Sequence, residues 1–141
     1  MIKKYLIVLG VAATMFGFNF STAFDVFAAQ VATYNDITGS DAARVMLSEK
    51  DILVLDVRTQ QEYTGDLGHL KGAKLIPVDE LSSRLGEIAA YKKKKVLVVC
   101  RSGVRSKKAA AILVGAGFEN VNNIIPGMSG MAQVPGAPIE K

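Results

Sequence analysis

The chain has one cysteine, Cys100, and two arginines close behind it, Arg101 and Arg105. Four apolar residues, 96–99, come directly before the cysteine and predict a buried strand, and residues 102–114 predict a helix. Cys100 should therefore lie in the turn between a strand and a helix. In an open parallel sheet this turn lies at the carboxyl edge, where such folds bind their ligands.

This position favours an ionised sulfur. The first amides of a helix have no partner within it, so the N–H groups of about Arg101 to Ser106 can converge on one point, and the helix dipole adds partial positive charge there. Helix N-termini and neighbouring cations lower thiol pKa values to about 3.5 to 7.5. Gly103 lets the backbone curl because glycine accepts positive φ. We predict a nucleophilic Cys100 thiolate, on condition that solvent reaches the sulfur and that the following amides turn towards it.

A buried structural cysteine is the alternative interpretation, and it is the commoner fate of a free cysteine. The beginning of the chain bears on this choice. A basic start, an apolar run over 5–20 and small residues before position 30 predict a secretory signal peptide over 1–28, followed by one domain over 29–141. A retained membrane anchor is the alternative. In an exported chain, an odd cysteine is either a reactive thiol or half of an intermolecular bridge.

The spacing from Cys100 to Arg105, C-x4-R, is one residue shorter than the C-x5-R loop of cysteine phosphatases, and a tighter ring of amides suits a single sulfur atom. The segment C-R-S-G-V-R-S resembles the active loop of the rhodanese family of sulfurtransferases. Other segments resemble the same family in family order: D-V-R-x-x-x-E-Y from Asp56, G-H-L-x-G-A from Gly68 and G-F-x-N-V-x-x-I from Gly117. The resemblance covers roughly residues 36–140. Pro126 and Met131 depart from it, where a glycine and a tryptophan are usual.

The resemblance implies an α/β fold, with a parallel sheet of about five strands and helices on both faces. The alternating elements agree with this fold class. We expect a first helix capped by Thr38 and ending near Leu47, a strand over 52–57, a helix over 78–90 and a last strand within 118–125. The lead-in before residue 37 has no clear pattern, and the tail after Met128 has one possible helical turn and then coil.

The implied activity is transfer of a sulfane sulfur from thiosulfate, or a similar small anionic donor, to a thiol, cyanide or protein acceptor. Cys100 would carry the sulfur as a persulfide. The loop residues Ser102, Gly103 and Val104 would line the site, and Arg101 and Arg105 would orient the donor and the leaving anion. No cofactor or metal is implied.

Arg58 comes directly after the strand over 52–57. It would therefore share the crevice with Cys100 as a further substrate contact. The alternative is a local network of Asp56, Arg58 and Glu62 that fixes the loop, in which Thr59 and Glu62 form a capping box. His69 is the single histidine, so we expect a hydrogen-bonded structural residue rather than a metal ligand.

The net charge of +4 is mild and gives no reason to expect nucleic acid binding. The basic run over 92–95 is interpreted as a solvated loop. We expect an exported monomer, periplasmic or secreted, with no stable membrane association after cleavage. Two other classes stay open: a cysteine phosphatase or arsenate reductase of related fold, and a non-catalytic redox or interaction module.

Overall fold

Parallel strands form the framework of the molecule. The computed structural model describes residues 33–141, so the predicted signal peptide lies outside the described residues. Five parallel strands make one sheet in the order β1-β6-β5-β2-β4, and β3 pairs antiparallel with β7. The elements are β1 (Asn35–Thr38), α1 (Gly39–Ser48), β2 (Leu53–Asp56), α2 (Gln60–Tyr63), β3 (His69–Leu70), β4 (Lys74–Leu75), α3 (Leu81–Arg84) with a 3-10 helix (Leu85–Tyr91), β5 (Lys95–Val99), α4 (Val104–Gly115), β6 (Asn120–Ile125), α5 (Met128–Met131) and β7 (Ile139–Glu140).

The two central strands are apolar because helices cover both faces of a parallel sheet. Every residue of β2 is buried, and so are the last four residues of β5. Alternate residues of β5 enter different hydrophobic clusters: Val96 and Val98 belong to one, Leu97 and Val99 to the other. The cores on the two faces therefore meet at β5, and this strand holds the cysteine turn in a fixed place.

Three loops meet at the carboxyl edge of the sheet. Strand β5 pairs in parallel register with β2, where Asp56 is opposite Val99, and with β6, where Val98 is opposite Asn123. Parallel neighbours end at the same edge, so the segments that follow β2, β5 and β6 lie side by side. The cysteine turn is the middle one of the three.

The α/β fold class is confirmed, and most predicted elements are present. The 78–90 segment differs from the expectation: residues 78–80 form a turn, only Leu81–Arg84 is α-helical, and a 3-10 helix follows over Leu85–Tyr91. Three strands were not predicted, β1, β3 and β7; the segment that contains β3 was interpreted as an irregular loop. Strand β1 is a polar, mostly exposed edge strand, and β7 has two residues in the tail that was interpreted as coil.

The surface opposite the cysteine turn carries ion pairs that join two loops. Lys94 donates to Asp51 at 2.7 Å, and Lys95 pairs with Glu49. Lys92 and Lys93 are exposed, in line with the solvated loop predicted for this basic run. Within residues 33–141, no helix is both long enough and apolar enough to cross a bilayer.

Candidate active site

The turn after β5 wraps hydrogen-bond donors around one sulfur atom. Gly103 has a φ of 104°, a left-handed conformation that suits glycine because a side chain would clash with the backbone. With this bend, the Gly103 N–H donates to Cys100 Sγ at 3.1 Å. The hydroxyl of Ser106, one turn into α4, donates to the same sulfur at 3.3 Å. The amides therefore turn towards the sulfur, as predicted.

These donors favour the thiolate over the thiol. Burial alone would raise the pKa of Cys100, but the Ser106 hydroxyl and the backbone amides of Ser102, Gly103 and Ser106 lower it more, so the pKa lies below that of an ordinary cysteine. Hydrogen bonds donated to a buried anion stabilise its deprotonated form. The arrangement can hold a sulfur anion at this position, and no histidine is required as a base.

The exposure of Cys100 differs from the prediction. The residue is only 1% exposed, and it packs in the hydrophobic cluster that includes Val57 and Val98. A nucleophilic thiolate requires solvent to reach the sulfur, and in this conformation the residue is closed to it. The cause is tertiary packing, because the turn lies between two neighbouring loops at the sheet edge.

Arg105 is held by Glu62 rather than left facing the turn. Its two terminal nitrogens donate to the two carboxylate oxygens of Glu62, both at 2.7 Å. The hydrogen bond from Arg105 is the main reason that the pKa of Glu62 is lowered to about 2. Glu62 also completes the predicted capping box with Thr59, so it is fixed at the start of α2. Arg105 is therefore in place near the sulfur, but its charge is already paired.

Arg58 is the centre of a buried network. Its guanidinium donates to both carboxylate oxygens of Asp56, at 2.7 to 3.1 Å, and to the backbone carbonyls of Glu62 and Gly68 at 3.1 and 2.8 Å. Arg58 is 1% exposed and Asp56 fully buried. This geometry favours the structural network, one of the two interpretations of Arg58, because the donors that could reach a substrate are used within the loop.

Arg101 has a different environment. It is exposed, and no hydrogen bond or ion pair with another side chain of residues 33–141 engages its guanidinium. It lines a cavity of about 610 Å³. The other lining residues come from the segment after β2: Arg58, Gln61, Glu62, Gly65, Asp66 and Leu67. Ser102 is exposed, and so is Val104 at 75%. Of the two arginines predicted to orient a donor, Arg101 is therefore the one whose charge has no partner within residues 33–141.

The sequence analysis did not predict the roles of two side chains in the site, Ser106 and Glu62. Ser106 was predicted only as a backbone donor, although its place one turn into a helix after the cysteine puts its hydroxyl near the sulfur. Glu62 was recognised as a cap but not as the partner of Arg105.

His69 is hydrogen-bonded as predicted: its Nδ1 lies 3.1 Å from the Tyr63 carbonyl oxygen, and its ring stacks on Tyr63. Among residues 33–141, no His, Cys, Asp and Glu side chains are grouped to hold a metal.

The parallel sheet and the cysteine turn define an α/β domain built to hold a sulfur anion at the carboxyl edge. The model of the rhodanese-like domain family matches residues 40–133. The chain belongs to the rhodanese-like domain family, whose general chemistry is sulfur transfer. The resemblance stated from the sequence motifs is therefore confirmed.

Similar proteins include several kinds of rhodanese-like chain. A Bacillus subtilis (strain 168) protein named as a sulfur carrier, YrkF, is 35% identical over 81 residues, which cover 57% of this chain and 42% of that protein. A tRNA uridine(34) hydroxylase of Hamiltonella defensa is 33% identical over 87 residues, which cover 59% of this chain and 24% of that protein. The chain thus spans less than half the length of these curated relatives.

Solved structures match over a larger share of both chains. A rhodanese-like domain protein from Staphylococcus aureus has 29% identity and a TM-score of 0.61, with 76% of this chain and 99% of that chain covered. A rhodanese-related protein from Thermoplasma volcanium has 26% identity and a TM-score of 0.64, with 76% and 98% covered. These likenesses agree with the five-strand parallel sheet and its helices.

Proposed function

We propose that this protein is a sulfurtransferase that takes a sulfane sulfur from thiosulfate, or a similar anionic donor, onto Cys100. The observation that supports the proposal most is the set of donors around Sγ. The Gly103 amide and the Ser106 hydroxyl both donate to it, at 3.1 and 3.3 Å. Donors placed around an anion before the reaction stabilise charge without reorganisation, and this is often the largest single contribution to catalysis.

The proposed cycle has two displacements at sulfur. In the first, the Cys100 thiolate attacks the outer sulfur of thiosulfate: the new S–S bond forms, the old S–S bond breaks, and its electron pair leaves with sulfite. In the second, an acceptor thiolate attacks the outer sulfur of the Cys100 persulfide, which returns Cys100 as a thiolate and leaves the acceptor persulfidated. Cyanide in the same role leaves as thiocyanate. The covalent intermediate divides one transfer into two easier steps.

The two arginines have different roles in this proposal. Arg101 binds the oxyanion part of the donor and the departing sulfite, because its planar guanidinium matches oxyanion geometry and lines the cavity beside the turn. Glu62 binds Arg105 and so keeps the guanidinium in a fixed position close to the sulfur. Ser102, Gly103 and Val104 supply backbone rather than side-chain contacts. Arg58 keeps the adjacent loop in place, and a direct substrate contact from it is not needed.

Burial of the sulfur adds a requirement to the cycle. Cys100 is 1% exposed, so we propose that the donor reaches it through a local opening of the packing around the sulfur. This requirement favours slender reagents such as thiosulfate, cyanide or an extended cysteine side chain of an acceptor protein. The relative named as a sulfur carrier supports a protein acceptor.

The same burial favours one alternative, a rhodanese-like domain that binds a partner without transferring sulfur. One experiment separates the two. The purified protein is incubated with thiosulfate and weighed by mass spectrometry, with Cys100→Ser as the control. Transfer predicts the added mass of one sulfur atom, lost on cyanide treatment and absent in the control. A binding module, or a phosphatase, predicts no added sulfur, and only a phosphatase predicts turnover of an aryl phosphate.

Export is part of the proposal. The basic start and apolar run of residues 1–28 support a cleaved signal peptide and a periplasmic or secreted protein. N-terminal sequencing of the protein from culture fractions tests this, since an intact Met1 in the mature protein would contradict cleavage. The expected oligomeric state is a monomer, which light scattering can measure.

A further inference from the structure

The segment after β6 lies directly behind the cysteine turn. Strands β5 and β6 are parallel neighbours, so Cys100 and Arg101 on one side are beside 126–129 on the other. Two hydrogen bonds join them. The Met128 N–H donates to the Cys100 carbonyl at 2.8 Å, and the Ser129 N–H donates to the Arg101 carbonyl at 3.0 Å. Both carbonyls of the turn therefore point towards α5.

The direction of these carbonyls decides the direction of the next amides. A trans peptide group is planar, with its C=O and N–H on opposite sides. When the Arg101 carbonyl points to Ser129, the Ser102 N–H of the same peptide must point the other way. The Ser102 amide is one of the backbone groups that favour the Cys100 thiolate. The contact with α5 thus orients a donor that acts on the sulfur.

Gly127 is what allows this contact. Its φ of 70° and ψ of −151° belong to a region of backbone space that is essentially restricted to glycine. A Cβ on residue 127 would lie 2.5 Å from the Cys100 carbonyl oxygen and 2.7 Å from that of Arg101. Both are backbone atoms of the turn, so a side chain there would have to push the turn itself away.

Other glycines show that positive φ alone is not the reason. Gly72 and Gly136 both have a φ of 71°, yet a Cβ on either would meet nothing within 4 Å. A substitution at those positions strains only its own backbone. At Gly127 the same substitution also displaces the carbonyls of two residues of the cysteine turn.

We propose that Gly127 is a positioning residue for the chemistry of Cys100. Because it has no side chain, the backbone of residues 127–129 can pack against the carbonyls of Cys100 and Arg101. This contact orients the amides of the cysteine turn towards the sulfur. The consequence for sulfur transfer rests on the proposed function. The consequence for the thiol itself does not, because ionisation of Cys100 is measurable without any sulfur donor.

The test compares Gly127→Ala with Gly136→Ala. The thiol is titrated by the ultraviolet absorbance of the thiolate, with the corresponding Cys100→Ser protein subtracted as background. Because the chain has a single cysteine, the signal has one source. We expect Gly127→Ala to titrate about one pH unit higher than the unsubstituted protein, a roughly tenfold smaller thiolate fraction below both pKa values. Gly136→Ala should titrate at the unsubstituted value.

A second variant keeps the test decisive if Gly127→Ala does not fold. Ser129→Pro removes the N–H that binds the Arg101 carbonyl, at a place in the first helical turn where proline is tolerated. Ser129→Ala, which keeps the N–H, is its control. The proline variant should also raise the titration midpoint. Unchanged midpoints in the folded variants would overturn the proposal, and so would loss of folding in both, since the contact would then serve the fold and not the thiol.

Sulfur loading is measured on the same proteins. If the unsubstituted protein takes no sulfur from thiosulfate, the proposed function fails while the titration still decides the role of Gly127. If loading occurs, its rate at neutral pH should fall in Gly127→Ala in proportion to the thiolate fraction, and not in Gly136→Ala.

Discussion

The loops that follow β2 and β5 lie side by side at one edge of the sheet; the first buries a cation, and the second buries a sulfur placed to carry negative charge. After β2, the Arg58 cation is surrounded by acceptors: the Asp56 carboxylate and the carbonyls of Glu62 and Gly68. After β5, the Cys100 sulfur is surrounded by donors: backbone amides and the Ser106 hydroxyl. Both loops follow the rule that a buried charge needs partners.

The partners differ in kind, and this difference separates structure from reactivity. Arg58 faces a full counter-charge, which stabilises it and leaves it chemically inert. The sulfur faces dipoles, which stabilise negative charge but do not form an ion pair with it. The cation that could have paired with the sulfur, Arg105, is bound instead by both oxygens of Glu62. We expect stability to depend on the loop after β2 and reactivity on the loop after β5.

The largest expected effect on stability comes from breaking the cation side. Asp56→Ala leaves the Arg58 charge buried without its carboxylate, and such a loss costs about 3 to 5 kcal/mol of unfolding free energy. Urea unfolding measures it. Asp56→Asn, which keeps a hydrogen-bond acceptor without the charge, should cost less. Equal stability of Asp56→Ala and the unsubstituted protein would refute the comparison.

The next largest effect on stability is expected at the ion pair between Glu62 and Arg105, which joins the two loops. Glu62→Gln removes the charge that holds Arg105, with an expected loss of about 1 to 3 kcal/mol at neutral pH. Because the pKa of Glu62 falls from 4.5 to about 2 on folding, its contribution is complete above pH 4.5 and is lost as the pH falls towards 2. The difference in stability between Glu62→Gln and the unsubstituted protein should therefore shrink over that range.

Glu87→Gln is a matched control for this prediction. Glu87 is also bound by two nitrogens of one arginine, Arg84, but on the exposed surface of the α3 region. Exposed ion pairs contribute little to stability. Its substitution should have the smaller effect in the same urea experiment, and a larger effect than that of Glu62→Gln would contradict the role given to burial.

On the anion side, Ser106→Ala should change reactivity more than stability. Loss of one buried hydrogen bond costs about 1 kcal/mol. The Cys100 pKa should rise, because the hydroxyl is the strongest of the groups that lower it. Loading with sulfur rises with pH as the thiolate forms, so this rise should move to higher pH in the variant. Ser102→Ala is the control, since its amide and not its hydroxyl serves the sulfur.

The smallest effect on stability is expected for Arg101→Ala, within a few tenths of a kcal/mol for an exposed side chain. The variant should need a higher thiosulfate concentration for half-maximal loading, while the persulfide, once formed, decays at the unsubstituted rate. Arg44→Ala, at an exposed position of α1, is the control for a general change in charge. An unchanged concentration dependence would remove Arg101 from the donor site.

Local signals predicted the parts of this architecture that depend on local physics. The apolar runs gave β2 and β5, Thr59 and Glu62 gave a capping box, and Gly103 gave the left-handed bend. Each depends on residues close together in the sequence. The same holds for the orientation of the amides around Cys100, which follows from a strand, a glycine and a helix in succession.

The remaining features depend on contacts between distant residues. Strand β7 exists only because it pairs with β3, some 70 residues earlier, and two residues carry no periodic pattern. The pairing of Arg105 with Glu62 spans 43 positions. The burial of Cys100 could not be decided from the sequence for the same reason, since it results from neighbouring loops that the local pattern around position 100 does not report.

Strand β7 has only two residues, but it packs against the loop that binds Arg58. A Cβ on Gly68 would meet the Glu140 carbonyl oxygen at 2.2 Å, so β7 lies against the residue whose own carbonyl binds Arg58. Proteolytic removal of residues 139–140, or a bulky group attached to them, would therefore disturb the interior of the protein. Labels and immobilisation chemistry are better placed on the solvent-facing lysines near position 92.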